Sequence, residues 1–256
     1  MEQLIRNEIK AAMTGYSAGM EQGSIWREPL VAFAAADNPE FAALKEIISQ
    51  DHLLPADILP GAKTVISFFL PFKEDVVKSN IPYNHASLEW ALAYIHTNKL
   101  ITYINERLFQ VISDAGFRAG KIPATNNYNR KKMISNWSHR HIAYIARIGT
   151  FGINNMLITE SGCCGRTGSM VSDWDAALPS VPPLEERCLF KRSNICGTCR
   201  TRCVKQAYSE SGLNKFLCQQ ACHENAERYR HLKDDAGCCG KCLVGLPCSS
   251  GIPVNI

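Results

Sequence analysis

An α/β or α+β unit over residues 1–180, followed by a small two-cluster ferredoxin-like module over 181–256, is the fold class this sequence predicts. Three observations lead there. Helix-like and strand-like apolar patterns alternate along the first 180 residues. Val181-Pro182-Pro183 then forms a stiff connector. Beyond it, ten of the chain's twelve cysteines fall between Cys188 and Cys248.

Taken in order, residues 1–20 place Leu4, Ile5, Ile9, Ala12 and Met13 at helical spacing. Asn38-Pro39-Glu40 marks a helix start: a capping side chain, a proline in the first turn, and an acid near the positive end of the dipole. Leu44, Ile47 and Ile48 supply its buried stripe. Pro60-Gly61 is a turn. Val65-Ile66-Ser67-Phe68-Phe69-Leu70 is a continuous apolar run, which fits a strand covered on both faces. Residues 86–114 are rich in Leu, Ile, Ala and Tyr at helical spacing and end before Gly116. Phe117 to Ile122 reads as a short strand. Residues 136–148 read as a helix stopped by Gly149. Residues 156–159 and 169–172 read as further strands.

The chain has 256 residues, 46% of them hydrophobic, which is ample for a core. A net charge of +4 permits an anionic partner without demanding one. Arg130-Lys131-Lys132 and the group Arg200, Arg202 and Lys205 read as solvated faces. The start, Met1 to Glu8, has no apolar signal-peptide core, and no apolar stretch is long enough to cross a membrane. The expectation is a cytoplasmic, reducing location with no membrane contact, where structural disulfides are rare.

The cysteines carry the chemistry. Cys196-Gly-Thr-Cys199-Arg-Thr-Arg-Cys203 and Cys239-Gly-Lys-Cys242, with Cys248 six residues on, are two C-x2-C pairs each followed by a third cysteine. A short C-x2-C loop delivers two thiolates to one small object, and a cubane needs four. Zinc would use the same eight thiolates, but a trailing third cysteine suits ferredoxin runs better than zinc ribbons. In two-cluster ferredoxins the last cysteine of one run ligates the other cluster. Applied here, that exchange gives one 4Fe-4S cluster Cys188, Cys196, Cys199 and Cys248, and a second Cys203, Cys218, Cys239 and Cys242. Cys222 and Cys238 remain as neighbours that could replace Cys218 or Cys239. Cys163-Cys164, between two strands, reads as structural, with a redox-active thiol as the sharper alternative.

Two segments carry a family resemblance. Trp137 through Thr159, with its Gly149-x-x-Gly152-x-Asn154 loop, is similar to the helix–glycine-loop–strand segment of epoxyqueuosine reductases. Gly165-Arg166-Thr167-Gly168-Ser169-Met170-Val171 resembles that family's next strand, and the eight-cysteine module follows in the expected order. The resemblance covers roughly residues 55–250. It implies a corrinoid-binding-type domain at 1–180 joined to a double-cluster domain at 181–256, as in the related reductive dehalogenases. It also implies single electrons passing through the clusters to a cobalamin-type cofactor. It places the corrinoid against Gly149, Gly152, Asn154 and Asn155, where a backbone without Cβ can approach a flat ring. The implied partners are an electron donor such as a flavodoxin or ferredoxin, and a small-molecule or modified-nucleoside substrate. Contact with nucleic acid is left open. A non-enzymatic electron-transfer or corrinoid-handling protein is the alternative.

The chain also departs from the family pattern. Thr150 and Ile153 stand where the family carries tryptophan and lysine. The family's catalytic aspartate precedes the helix, whereas Ala124 to Arg130 contains no carboxylate. Seven residues separate Cys188 from Cys196, and no proline follows Cys203. No helical extension follows the last cysteine. His139 and Tyr128 are the candidate proton donors in place of the aspartate. His139 and His141 lie two apart and point to different helix faces.

Overall fold

A computed structural model describes residues 1–122, 128–129 (backbone only), 131–179, 181–209 and 212–254. The chain opens with α1 (Glu2–Ala18), β1 (Leu30–Ala35), α2 (Pro39–Ile47), the single turn α3 (Pro55–Ile58), β2 (Thr64–Pro71) and α4 (Glu74–Ser79). Next come α5 (Leu88–Asp114), the two-residue strands β3 (Ala119–Gly120), β4 (Tyr128–Asn129) and β5 (Ile134–Ser135), and α6 (His139–Ile145). The hairpin β6 (Gly149–Phe151) and β7 (Leu157–Thr159) leads into β8 (Gly165–Ser172). The last part holds α7 (Leu189–Ser193), α8 (Thr198–Thr201), the pair β9 (Tyr208–Ser209) and β10 (Gly212–Leu213), and α9 (Lys215–Arg228).

Local chemistry sets the helix starts. Asn38 Oδ1 accepts from the Glu40 amide at 2.9 Å with Pro39 in the first turn, as the sequence predicts. Ser87 caps α5 by accepting from the Trp90 amide at 3.1 Å. Asn214 caps α9 through the amides of Phe216 and Leu217.

The main sheet runs β1-β2-β8-β3, and every pair in it is antiparallel. Of the two classes the sequence leaves open, this pairing selects α+β. All eight residues of β2 are buried. Ile66, Phe68 and Leu70 pack with Ile5 and Ile9 of α1 and Leu100 to Leu108 of α5. Val65, on the opposite face, packs with Phe41 and Leu44 of α2 and Ile142 and Ile145 of α6. Helices on both faces explain the unbroken apolar run. Gly168 lies opposite Phe68, and a Cβ there would stand 2.3 Å from that ring. β1 escapes a sequence reading because Leu30 to Ala35 is a short, alanine-rich run with no alternation.

The cysteine-rich part is too polar to bury a core of its own, and it shares that of the first part. Tyr229, Ala236, Cys238, Leu243 and Val244 join the cluster that contains Ala86, Trp90 and Ile95. Tyr229 Oη donates to Ala86 O at 2.6 Å, and Asn225 Oδ1 accepts from the Ala86 amide at 3.0 Å. Lys241 is 2% exposed and gives its ammonium to the carbonyls of Asn80 and Pro82, 2.7 and 2.5 Å away. Gly240, at φ +71°, brings the backbone against the Trp90 indole. Arg200, Arg202 and Lys205, expected as a solvated face, are tied down. Arg200 covers the Phe190 ring at 4.5 Å, Arg202 donates to Ile81 O at 3.0 Å, and Lys205 pairs with Glu224 at 2.6 Å.

Candidate functional site

Four thiols surround one small void. Cys188 caps the start of α7, Cys196 and Cys199 flank the Gly197 turn into α8, and Cys248 sits within the turn closed by the Ser249 amide on Leu246 O. All four line a cavity of about 30 Å³, with Gly152, Ile158, Leu189, Phe190, Leu246 and Pro247 closing it. The walls are apolar, so ionised thiols are penalised there. Burial pushes the Cys199 thiol up to about 12, and the charges of Cys248, Cys188 and Cys196 add to the push. At Cys196 burial pushes the same way but is outweighed by hydrogen bonds from Thr198 and Gly197, which leave that thiol lowered; a positive centre among the four would favour their ionising together.

A second set lies against a much larger cavity, of about 1110 Å³. Cys203, Cys218, Cys222, Cys238, Cys239 and Cys242 all contribute to its wall. Burial raises Cys242 to about 12, with Cys218, Cys239 and Cys203 pushing the same way. Cys239 is likewise raised by burial and by Cys218 and Cys203. Cys222 sits one helical turn after Cys218 on α9. The Cys222–Cys218 hydrogen bond lowers the Cys218 thiol to about 7, and the Arg140 charge helps. All twelve cysteines are free thiols. Among the described residues, no three His, Cys, Asp or Glu side chains converge on one metal-ion position.

Further parts of the large cavity's wall come from α2, α5, β5, α6, the β6–β7 loop and β8. Trp90, Tyr94, Phe151 and Tyr208 give it aromatic surfaces. Asn154 lines both cavities and donates to Cys242 O at 2.9 Å. Tyr208 Oη donates to Asn154 O at 3.3 Å. Burial and the neighbouring thiols Cys242, Cys199 and Cys218 hold the Tyr208 phenol well above its ordinary range.

The glycine-loop residues divide between these spaces. Asn154 and Asn155 line the large cavity. Gly152 lines the four-thiol void instead, and a Cβ there would meet Asn154 Oδ1 at 2.7 Å. Gly149 lines neither cavity. It lies in β6, where a Cβ would stand 2.6 Å from Ile158 O, so the close approach it permits is to the paired strand and not to a cofactor.

His139 does not face the cavity. It is buried against the sheet, with Nδ1 2.8 Å from Ser169 Oγ. That hydroxyl also accepts from Trp137 Nε1 at 2.9 Å, so one serine ties both rings to the sheet. His141 lines the cavity in its place, held by Ser138 Oγ at 2.8 Å and by the Phe151 ring at 4.6 Å. Burial, reinforced by the Arg140 charge, pushes His141 down to about 4. Tyr128 pairs with Ser135 in the β4–β5 ribbon, and its side chain lies outside the described residues. The stretch 124–127, where a carboxylate is missing, also lies outside them.

Sequence reasoning missed Arg140, Arg166, Tyr94 and Tyr208. Arg140 sits between the two noted histidines, and only the helix rotation reveals that it faces the thiols. Cys163 precedes the cysteine-rich module in sequence by more than twenty residues. In space its amide donates to Cys248 O at 2.9 Å, and Cys164 Sγ donates to Leu243 O at 3.2 Å.

No family model matches the chain, and no curated protein matches it in sequence. Solved structures do match. A selenomethionine-labelled epoxyqueuosine reductase aligns with a TM-score of 0.57 at 17% identity, covering 99% of this chain and 68% of that one. The chain has the fold of epoxyqueuosine reductase. A second structure of such an enzyme, with an epoxyqueuosine-modified tRNA-Tyr stem loop, aligns at 0.57 and 18% identity, covering 99% of this chain and 67% of that one. The enzyme from Bacillus subtilis, with its catalytic aspartate loop swung out of the active site, aligns at 0.56 and 17%, with the same shares covered. At these identities the similarity speaks for the shared fold. Among the described residues, no helix is long and apolar enough to cross a membrane.

Proposed function

We propose that this chain is an iron–sulfur oxidoreductase of the epoxyqueuosine reductase type. It would deliver single electrons through two 4Fe-4S clusters to a corrinoid-bound substrate site. The observation that carries this reading is the small void walled by Cys188, Cys196, Cys199 and Cys248, drawn from both ends of the module. Those four would hold one cluster, and Cys203, Cys218, Cys239 and Cys242 the other. The raised thiols favour a cationic metal core, and a void with four thiols around it suits a cubane better than a single tetrahedral zinc.

The large cavity supports an organic cofactor or substrate beside the second thiol set. Its volume of about 1110 Å³ lies just above the range of about 300–1,000 Å³ for small-ligand sites. A bare electron carrier needs no such space. A corrinoid bound there would supply the reductive chemistry. The chain's own residues would wall the ligand with aromatic faces and keep Asn154 against the Cys242 loop. Tyr128 is retained as a proton donor, because Ile134 and Ser135 of the strand paired with its own line the cavity. The substrate would be epoxyqueuosine or a related modified nucleoside, with a flavodoxin or ferredoxin as electron source, in a cytoplasmic setting.

Metal analysis of anaerobically prepared protein tests the reading. About eight irons and eight sulfides per chain are expected. Cys248→Ser should lose the cluster shared with Cys188, Cys196 and Cys199 and keep the other. Two zincs without sulfide would overturn the cluster assignment. With chemical reductant and added cobalamin, reduction of an epoxyqueuosine-bearing stem loop is the expected activity, and Tyr128→Phe should slow it.

A further inference from the structure

We infer that the large cavity seats a phosphate group between Arg140 and Arg166, so that its ligand is a phosphorylated molecule. This deepens the reductase reading and rests on it for the identity of the cavity.

The charge of the wall is lopsided. Arg140, Arg166, Lys205, Lys215 and Lys241 face the cavity with one carboxylate, Asp235, and with the thiols that would hold the second cluster. Two of the cations are already engaged, Lys205 by Glu224 and Lys241 by backbone carbonyls. The arginines are not matched in this way. The arginine ion pairs among the described residues involve Arg6, Arg107, Arg118, Arg147 and Arg230. Arg140 and Arg166 form none.

Each arginine is held in place by neutral groups. Arg140 donates to Asn155 O and touches Met156 Sδ at 3.2 Å. Arg166 sits over the Tyr94 ring with its Cζ 4.3 Å from the centroid, and its Nε is buried without a hydrogen-bond partner. A cation–π contact steadies the guanidinium but leaves that N–H unsatisfied. The two arginines are close enough for their charges to repel. An anion between them removes both penalties. Phosphate suits better than carboxylate, since its several oxygens can meet two guanidinium forks at once.

A rival account makes Arg140 a counter-charge for the thiolates of Cys218 and Cys242. That would explain Arg140, and Arg166 likewise offsets part of the burial penalty on the Cys238 thiol, but a thiol counter-charge leaves the buried Arg166 Nε–H without a hydrogen-bond partner.

The test uses anaerobic, cluster-loaded protein and two probe pairs: hydroxocobalamin against cobinamide, and guanosine 5′-monophosphate against guanosine. Binding is followed by equilibrium dialysis. In one pair the phosphate-bearing member should bind about tenfold or more tightly than its phosphate-free analogue. That gap should close in Arg166→Gln and in Arg140→Gln. Iron and sulfide content is measured alongside. If Arg140→Gln sheds iron, Arg166→Gln decides. A preference in the cobalamin pair assigns the phosphate to the cofactor, and one in the nucleotide pair assigns it to the substrate. No preference in either pair, or a preference that survives Arg166→Gln, overturns the inference. Sulfide-free protein that still shows the preference would overturn the reductase reading alone.

Discussion

His139 and His141 share one short helix and meet opposite surroundings. His139 is fixed by Ser169 inside the sheet layer, whereas His141 faces the cavity beside Arg140. Burial keeps His141 neutral down to about pH 4, so it can orient a ligand but does not donate from an imidazolium near pH 7. Its folded pKa lies below the unfolded value of about 6.5. The unfolded chain therefore binds a proton that the folded chain refuses between those values, and stability falls as pH drops through that window. His141→Gln should flatten the loss, measured as thermal melts from pH 7 to 4, by up to about 1.4 kcal/mol per pH unit. His52, His85 and His96 are also lowered by burial, so part of the slope will remain. Gly152 supplies a second prediction. A valine there would push into Asn154 and the four-thiol void. Gly152→Val should cost about four irons before it affects ligand binding in the large cavity, read by iron analysis and cobalamin titration. Loss of cobalamin binding with iron intact would contradict this placement.

At the scale of elements, α9 matters because it carries Cys218 and Cys222. Its start depends on Asn214, whose side chain accepts from two orphan amides. Asn214→Ala should destabilise the protein by about 1 kcal/mol in urea unfolding. Cluster content should hold, since the Cys218 amide bonds the main-chain carbonyl of residue 214, which the substitution keeps. The Cys239–Cys242 loop is tied down differently. Gly240 combines a φ of +71° with an indole edge 2.2 Å from a would-be Cβ. Gly240→Ala should cost more than the cap, about 2 kcal/mol or above, because strain and clash add. A melt unchanged from wild type would show that Trp90 moves aside freely.

At the scale of the molecule, one apolar core runs from β2 and α5 into the cysteine-rich part. Ten thiols are thus mounted on a rigid base, but the loops that carry them have little core of their own. If clusters fill both cages, removing iron should loosen residues 188–228 and leave the main sheet protected. Hydrogen exchange before and after anaerobic chelation would show this as lost protection in α7 to α9 with β2 and β8 unchanged. Uniform loss across the sheet would mean that metal binding and the sheet fold as one unit.

Local and periodic features were legible in the sequence. The Asn38 cap, the length of α5, the doubly covered β2 and the thiol spacings all follow from short-range chemistry that one stretch of chain contains. The grouping of Cys188, Cys196, Cys199 and Cys248 came from a rule of spacing, and the four line one void; that they hold a cluster is what we propose. What needed tertiary structure were choices made between distant segments. Antiparallel pairing of β2 with β8 depends on which strand edges meet, and no pattern within either strand states it. Gly149 and Gly152 look equivalent in a loop motif, yet one faces a partner strand and the other a thiol cage. Helix rotation, fixed by packing of Ile142 and Ile145 on the sheet, turned His139 inward and Arg140 and His141 toward the cavity. Arg166 acquired its meaning only when β8 set it over Tyr94, because an unpaired charge is defined by everything that surrounds it.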